Sequence, residues 1–492
     1  MTVAASPSGS DRRLGPALVF LVLAVHATAL ASGFVDFDDP EIFLQNPLLQ
    51  SREPSVLLDI FSLGRENWRP VRDASHWLDF VLHGQTAWLA HLHNLALLGV
   101  VVSLFWRIFE RLDRGGLPGF VALLLAFVHP VQVEAIAWVS GRKELLAAVF
   151  FLWFCLAFVG FVQGEGRSGW RALGLGLLLV LGVGAKGHVI VLPAVALCLA
   201  VHEQFRGANR RSFKVLAGML AALVLVALAL VPLVDRGSVV HQPVANGLDQ
   251  PTLVLQDKLQ IPLRYLGKVF WPVDLNHIVL TEPLGPAHTA FAALSAAFAL
   301  GWLGLAARRL WRRDPRGAWL LIPAVLLAPY LHLKPGVVYI ADRYLFLVLP
   351  FAVSLVVEVA ARVLPSRTAR GSLAVGVALL LAVQSLTVHL AWRDSVHLWG
   401  RMIEVYPTSA WGYDRLGRAL IEAGSIEEAA GAFLAAAERA PRESRHQNNA
   451  AVAFLRAGRV ELAVLHFEKA LALDPNNPQA LKNLRELTGR GP

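Results

Sequence analysis

The sequence predicts an all-α protein in two parts, a polytopic membrane helical bundle over residues 1–391 and a helical repeat array over 392–492. Composition, the spacing of apolar runs and a 34-residue period near the C-terminus carry this reading. Of 492 residues, 55% are hydrophobic and 16% charged, and mean hydropathy is +0.52. A water-soluble chain of this length is less apolar and more charged, so a lipid solvent is the simplest explanation.

Apolar runs lie at about 14–32, 88–106, 117–129, 144–163, 172–185, 187–201, 214–234, 289–307, 317–331, 344–361 and 372–391, giving about eleven spans. Roughly 20 residues cross a bilayer. The shorter runs at 117–129, 172–185 and 187–201 read as tilted, broken or extended by flanking polar residues. If Arg12 and Arg13 are cytoplasmic, each further loop on that side is basic. Those loops carry Arg107, Arg111 and Arg114, then Arg167 and Arg171, then Arg206, Arg210, Arg211 and Lys214, then Arg308 to Arg316, and last Arg362, Arg367 and Arg370. The count of spans is then odd. Loops 33–87, 129–143, 235–288 and 332–343, with everything after 391, are expected on the outer face. An alternative makes residues 1–31 a cleaved signal peptide closing on Ala29-Leu30-Ala31, which leaves residue 33 onward on the same side.

The net charge of +9 is spread in short clusters between apolar runs, as orientation signals are, so no nucleic-acid partner is expected. The two cysteines, Cys155 and Cys198, lie inside apolar runs and read as packing residues.

Residues 410–443 and 444–477 align at the 34-residue offset, with Gly424 on Gly458, Ala429 on Ala463, Phe433 on Phe467, Ala436 on Ala470 and Pro441 on Pro475. This is the period and pattern of tetratricopeptide (TPR) repeats. Trp399 and Pro407 precede Phe433 and Pro441 by the same offset, so 392–407 reads as the second helix of a truncated leading repeat, and 478–488 as a cap. Small residues let paired helices approach, and the aromatic fills the groove between repeats. Such an α-solenoid is expected to hold a protein or peptide partner.

Ionisable residues cluster in the expected outer loops, where they should pair, line a cavity or do chemistry. Asp36, Asp38 and Asp39 follow the first span directly. In an extended strand Asp36 and Asp38 share one side, so one carboxylate can act while a neighbour orients it or a metal; the alternative is a solvated acidic turn before Pro40. Arg69, Arg72, Asp73, His91, His93 and Asn94 follow in the same region. Residues 129–144 form a dense polar stretch with His129, Glu134, Arg142, Lys143 and Glu144, in which the basic pair suits a lipid phosphate or simple interfacial anchoring. Lys186 lies between two short spans, and Asp342-Arg343-Tyr344 follows Lys334 and Tyr339. No metal-ligand set, phosphate loop or HExxH motif is legible, so a divalent metal is open and energy must arrive with the substrate.

The stretches FVDFDDP at 34–40, WRPVRDASHWLDFVLHG at 68–84, HLHN at 91–94, HPVQVEAIAWVSGRKELLAAVFF at 129–151, AKGHVIVLP at 185–193, IADRYLFLVLP at 340–350 and WRDSVHLW at 392–399 span nearly the whole chain. Together they resemble the membrane GT-C glycosyltransferases, and within them the transmembrane-and-TPR O-mannosyltransferase-like proteins and their bacterial relatives. The resemblance implies a GT-C-like bundle that takes its sugar, mannose among the candidates, from a polyprenyl-phosphate donor and transfers it with inversion to an extracytoplasmic acceptor, a protein hydroxyl. It implies that Asp38 and Asp39 are the catalytic carboxylates, with Asp38 favoured as base. Arg69, Arg142, Lys143, Lys186 and Arg343 are implied to hold the donor phosphate, and Asp36, His129, Glu134 and Asp342 to support the site. Gly187 and Val71 depart from the usual Ser or Thr and Leu of the family, which bears on sugar identity. The expected setting is a bacterial inner membrane with the N-terminus cytoplasmic and the repeats periplasmic. The rival functions are a non-catalytic scaffold recruiting partners through its repeats, and a lipid-linked glycan transporter or polymerase.

Overall fold

The computed structural model describes residues 11–65, 67–166, 168–235, 251–275, 286–331, 340–364 and 366–488, and no strand occurs among them. Each of the eleven apolar runs falls on a helix. These are α1 (Asp11–His26, extended by a 3-10 turn to Ala31), α4 (Ala87–Arg111), α5 (Gly116–Phe127), α7 (Arg142–Val162), α8 (Ser168–Ala185), α9 (Leu192–Phe205), α10 (Phe213–Asp235), α12 (Pro286–Trp311), α13 (Arg316–Leu327), α14 (Val348–Val363) and α15 (Arg367–Ala391). Seven helices among the described residues are long and apolar enough to cross a membrane singly, and an eighth span arises if α5 and the short α6 (Val133–Ala137) count as one bent by 58°. The protein is therefore an all-α membrane bundle.

The bend has a local cause. Pro130 supplies no backbone donor, and His129 Nδ1 accepts the Val131 N–H at 3.2 Å, capping a 3-10 turn that restarts the chain in a new direction. From His129 to Arg142 the backbone runs through short turns, all of it buried. Irregular backbone at membrane depth is tolerated only where protein surrounds it.

The chain divides into two compact units, Met1–Ser32 with Asp38–His389, and Gly33–Phe37 with Leu390–Pro492. At the centre of the first stands α7, the most enclosed of the long apolar helices and packed on α4, α8 and α9; α12 and α15 bury little of their length and present apolar faces outward. Interlocked rings fill the core: Phe105 meets Phe127 and Phe351 at 5.6 and 5.5 Å, and Trp319 meets Phe351 at 5.1 Å. Three further helices complete this unit: α2 (Val56–Ile60), α3 (Pro70–His83) and α11 (Pro251–Phe270). The last lies in what the sequence reads as loop, because its polar residues interrupt the apolar run that marks a span.

The second unit is the repeat array: α16 (Ser395–Val405), the pairs α17 (Ala410–Glu422) with α18 (Ile426–Arg439) and α19 (Ser444–Arg456) with α20 (Val460–Leu473), and α21 (Pro478–Thr488). The repeated positions are its core, with Ala429, Phe433, Ala436, Ala463, Phe467 and Ala470 all buried. A Cβ on Gly417 would stand 2.8 Å from the Phe433 ring, so the glycine lets α17 and α18 close on it. Gly424 and Gly458, at φ +83° and +75°, turn the chain between the helices of each pair in the left-handed conformation that glycine adopts without strain.

Candidate active site

Asp38 and Asp39 begin the second stretch of the membrane unit, and their side chains part. Lys143 Nζ donates to Asp38 Oδ2 at 3.0 Å. Asp39, fully buried, accepts from both the backbone N–H and the hydroxyl of Ser140, at 3.0 and 2.5 Å. The two carboxylates thus dock the loop on either side of the Ser140-Gly141-Arg142-Lys143 turn. Burial pushes the Asp38 carboxyl up, but Lys143, with Arg343 and Arg72 beyond it, outweighs that and holds it below the usual carboxylate value.

Two aromatic rings link cations distant in sequence. Trp138 carries Lys143 Nζ at 4.3 Å and Arg343 Cζ at 5.6 Å from its centroid. Tyr344 carries Arg343 Cζ at 5.2 Å and Lys186 Nζ at 5.1 Å, and stacks on Tyr330 at 3.8 Å. A continuous row results: Asp38, Lys143, Trp138, Arg343, Tyr344, Lys186. Each cation is balanced by an acid, Arg343 by Glu134 and Lys186 by Glu144, while Lys186 also donates to the Tyr330 hydroxyl at 3.3 Å. A cavity of about 10 Å³, room for about one water, lies among Glu144, His188, Tyr330 and Arg343.

Arg142 occupies a different environment from its neighbour. It is wholly buried, ion-paired to Asp79 at 2.5 Å, with Nε donating to Asn94 at 2.8 Å and Nη2 to the Ala90 carbonyl at 2.9 Å. Its fork ties α3, α4 and α7 together. Arg69 forms no ion pair among the described residues; burial and nearby Arg72 lower its guanidinium to about 10, so it stays charged at neutral pH. Its Nη2 would stand 3.5 Å from a Cβ on Gly187, beside Lys186. His129 donates Nε2–H to the Val269 carbonyl at 3.0 Å, a structural bond to α11. Asp342 pairs with Lys268 of α11. Asp36 lies in the second unit, where its N–H donates to Ser395 Oγ at 2.8 Å and its carboxylate faces Arg415 at 3.4 Å. Lys334 and Tyr339 lie outside the described residues.

Several residues of this neighbourhood escape the sequence reading. On α3, His76, Asp79 and His83 follow the Arg72 and Asp73 already noted in the sequence at spacings of three and four residues, so the polar stripe of this helix faces inward. That spacing was the available signal. Neither ring nitrogen of buried His76 has a hydrogen-bond partner among the described residues. On α11, Tyr265 donates to the Ala341 carbonyl at 3.1 Å and, with Lys268, holds the Asp342–Arg343 turn in place. Among the described residues no group of three or more metal-ligating side chains is assembled.

A bundle of apolar helices carrying a TPR array, with acids and cations gathered from five separated sequence stretches, defines the class. The family model described as Tetratricopeptide repeat matches residues 415–478. The chain is 32% identical over 149 residues to the protein O-mannosyl-transferase F38B6.6 of Caenorhabditis elegans, covering 27% of this chain and 21% of that protein. It is 26% identical over 267 residues to the protein O-mannosyl-transferase TMTC3 of Homo sapiens, covering 48% and 29%. To TMTC2 of Mus musculus it is 30% identical over 170 residues, covering 32% and 20%. The matches span less than a third of each of these relatives. Over these stretches the chain is similar to the transmembrane-and-TPR O-mannosyltransferase-like proteins.

Proposed function

We propose that the protein is a GT-C-type glycosyltransferase that moves a sugar, mannose by the names of its relatives, from a polyprenyl-phosphate donor to hydroxyl groups of a protein acceptor. The observation that carries this reading is the row from Asp38 through Lys143 and Arg343 to Lys186, which gathers three cations, with Asp38, Glu134 and Glu144 as their acids, around two aromatic rings. Asp38 takes the proton of the acceptor hydroxyl as its oxygen attacks the anomeric carbon. The bond from that carbon to the phosphate oxygen breaks with inversion, and the electron pair leaves on the lipid phosphate. Lys143, Arg343 and Lys186 take up the charge that develops there, and Arg69 adds a fourth cation near Lys186. Arg142, whose donors are spent inside the protein, positions the turn that carries Lys143. Asp39 anchors the acidic loop to Ser140 so that Asp38 keeps its place.

The repeats hold the acceptor in this scheme, and the basic loops support a reading in which the repeats and the site face the extracytoplasmic side, with a bacterial inner membrane as the proposed setting. The test is transfer of radiolabelled sugar from polyprenyl phosphate to host protein in vesicles carrying the full chain or Asp38→Asn. Loss of transfer with unchanged folding supports the reading. Unchanged transfer sinks it, and loss of a repeat-dependent complex alone would favour a scaffold.

A further inference from the structure

The helices that carry this cluster at one end carry a second charged site at the other. From Asn94, in the cluster, α4 runs about 25 Å along its axis to its end. There a cavity of about 620 Å³ opens among the ends of α4, α5, α9, α13 and α14. Phe109, Leu112, Ala122 and Val357 give it an apolar wall. Three arginines and three acids give it a charged one. Arg206 pairs with Asp113, Arg316 lies 2.6 Å from Glu358 and 3.6 Å from Asp314, and Arg114 lies 3.4 Å from Glu358. Each arginine of the lining is already held by an acid, and outside the lining Glu203 adds to Arg206 while Arg309 and Arg362 reach Asp314 and Glu358. A simple anion would have to draw a cation from its acid, whereas a ligand bearing both charges leaves no group unpaired.

The cavity also holds an acceptor in want of a donor. His202, buried in its lining, donates Nδ1–H to the Pro315 carbonyl at 2.9 Å, so Nε2 carries the lone pair and has no hydrogen-bond partner among the described residues. The apolar spans Ala87–Arg111 and Gly187–Phe205 both end at this level, where lipid head groups begin.

We propose that this cavity binds a zwitterionic phospholipid whose head group ends in a primary amine, of the phosphatidylethanolamine kind. The phosphate faces Arg114, Arg206 and Arg316. The ammonium faces Glu358 and Asp113 and donates to His202 Nε2, and an acyl chain lies on the Phe109–Val357 wall. The site is independent of the transfer reaction.

The test uses the full chain in detergent, titrated with dioleoyl phosphatidylethanolamine, phosphatidylcholine or phosphatidylglycerol and read by native mass spectrometry. The ethanolamine lipid should bind roughly tenfold tighter than the choline lipid, whose nitrogen has no N–H to give, and than the glycerol lipid, which has no positive charge. Glu358→Gln and His202→Phe should each reduce that preference. Equal affinity for the three lipids, tighter binding of the glycerol lipid, or a preference untouched by Glu358→Gln overturns the proposal. If His202→Phe loses its fold, seen as aggregation in lipid-free detergent, the head-group order and Glu358→Gln decide.

Discussion

Lys143 Nζ stands 3.0 Å from Asp38 Oδ2 while the adjacent Arg142 is turned away to Asp79, so two consecutive basic residues serve two separate purposes. Helical geometry explains the division. Successive side chains on α7 point about 100° apart, so one enters the packed interior and the next faces the acidic loop.

The first prediction concerns Asp38 as the proposed base. Asp38→Asn should lower transfer by about 10² to 10⁴, the usual worth of a positioned proton acceptor. Because Lys143 holds the Asp38 carboxyl below its ordinary 3.8, the working, deprotonated form persists as pH falls, and kcat/KM should stay level down to about pH 5. In Lys143→Met the burial that raises the carboxyl is no longer opposed by that charge, so the acidic limb should move to higher pH. A limb that does not move in a measured pH–rate profile refutes the pairing.

A second prediction separates Arg142 from Lys143. Arg142→Met removes the guanidinium from the buried Asp79 carboxylate and leaves it only His93 at 2.8 Å and the more distant His83, which should destabilise the bundle by about 3 kcal/mol. Lys143→Met should keep the melting temperature within a few degrees and retain a reduced but measurable activity. Thermal unfolding in detergent, read beside activity, distinguishes them.

Gly141 is the third. A Cβ there would stand 2.7 Å from the Ala135 carbonyl oxygen and 3.1 Å from its carbon, both backbone atoms. Gly141→Ala should therefore cost about 1–3 kcal/mol and displace Lys143 from Asp38. A melting temperature equal to the unaltered protein would show that the turn yields freely.

The fourth lies in the repeats. Asp414, buried on α17, accepts from Asn449 at 2.7 Å and pairs with His446 at 3.3 Å and Arg418 at 3.0 Å. Burial alone would raise its carboxyl, but those partners bring it to about 2 from 3.8. A carboxyl lowered in the folded state adds stability above its unfolded value and loses it as pH falls through the folded one. The contribution, roughly 2 kcal/mol, should be whole at pH 5 and lost between about pH 4 and 2. Hydrogen exchange across α17 and α19 should show Asp414→Asn weakened at pH 7, with the gap to the unaltered chain closing at low pH. A gap constant with pH would mean that the ionised carboxylate adds nothing.

The TPR core was legible residue by residue, since a 34-residue period names the same packing position twice, and Phe433 and Phe467 are both found where the pattern puts them. The helical runs were legible for a similar reason, since apolar runs declare themselves by length and hydropathy, but of the eleven read as spans seven, or eight with the bent pair, are long and apolar enough among the described residues to cross a membrane. α3 and α11 were not. Both are polar on the face they bury, and a polar helix in a membrane protein looks like a loop until its partners are known.

The sequence by itself determined the helical class, the apolar runs, the repeat and the acidic and basic residue types on which the chemistry is proposed to rest, because each is written in composition or a short period. Which of those residues meet was decided only by tertiary structure. Lys143, Lys186 and Arg343 come together because Trp138 and Tyr344 stand between them, and Asp36 parts from Asp38 because its backbone joins Ser395. Contacts across 40 to 360 residues depend on how helices pack, and no local spacing encodes that.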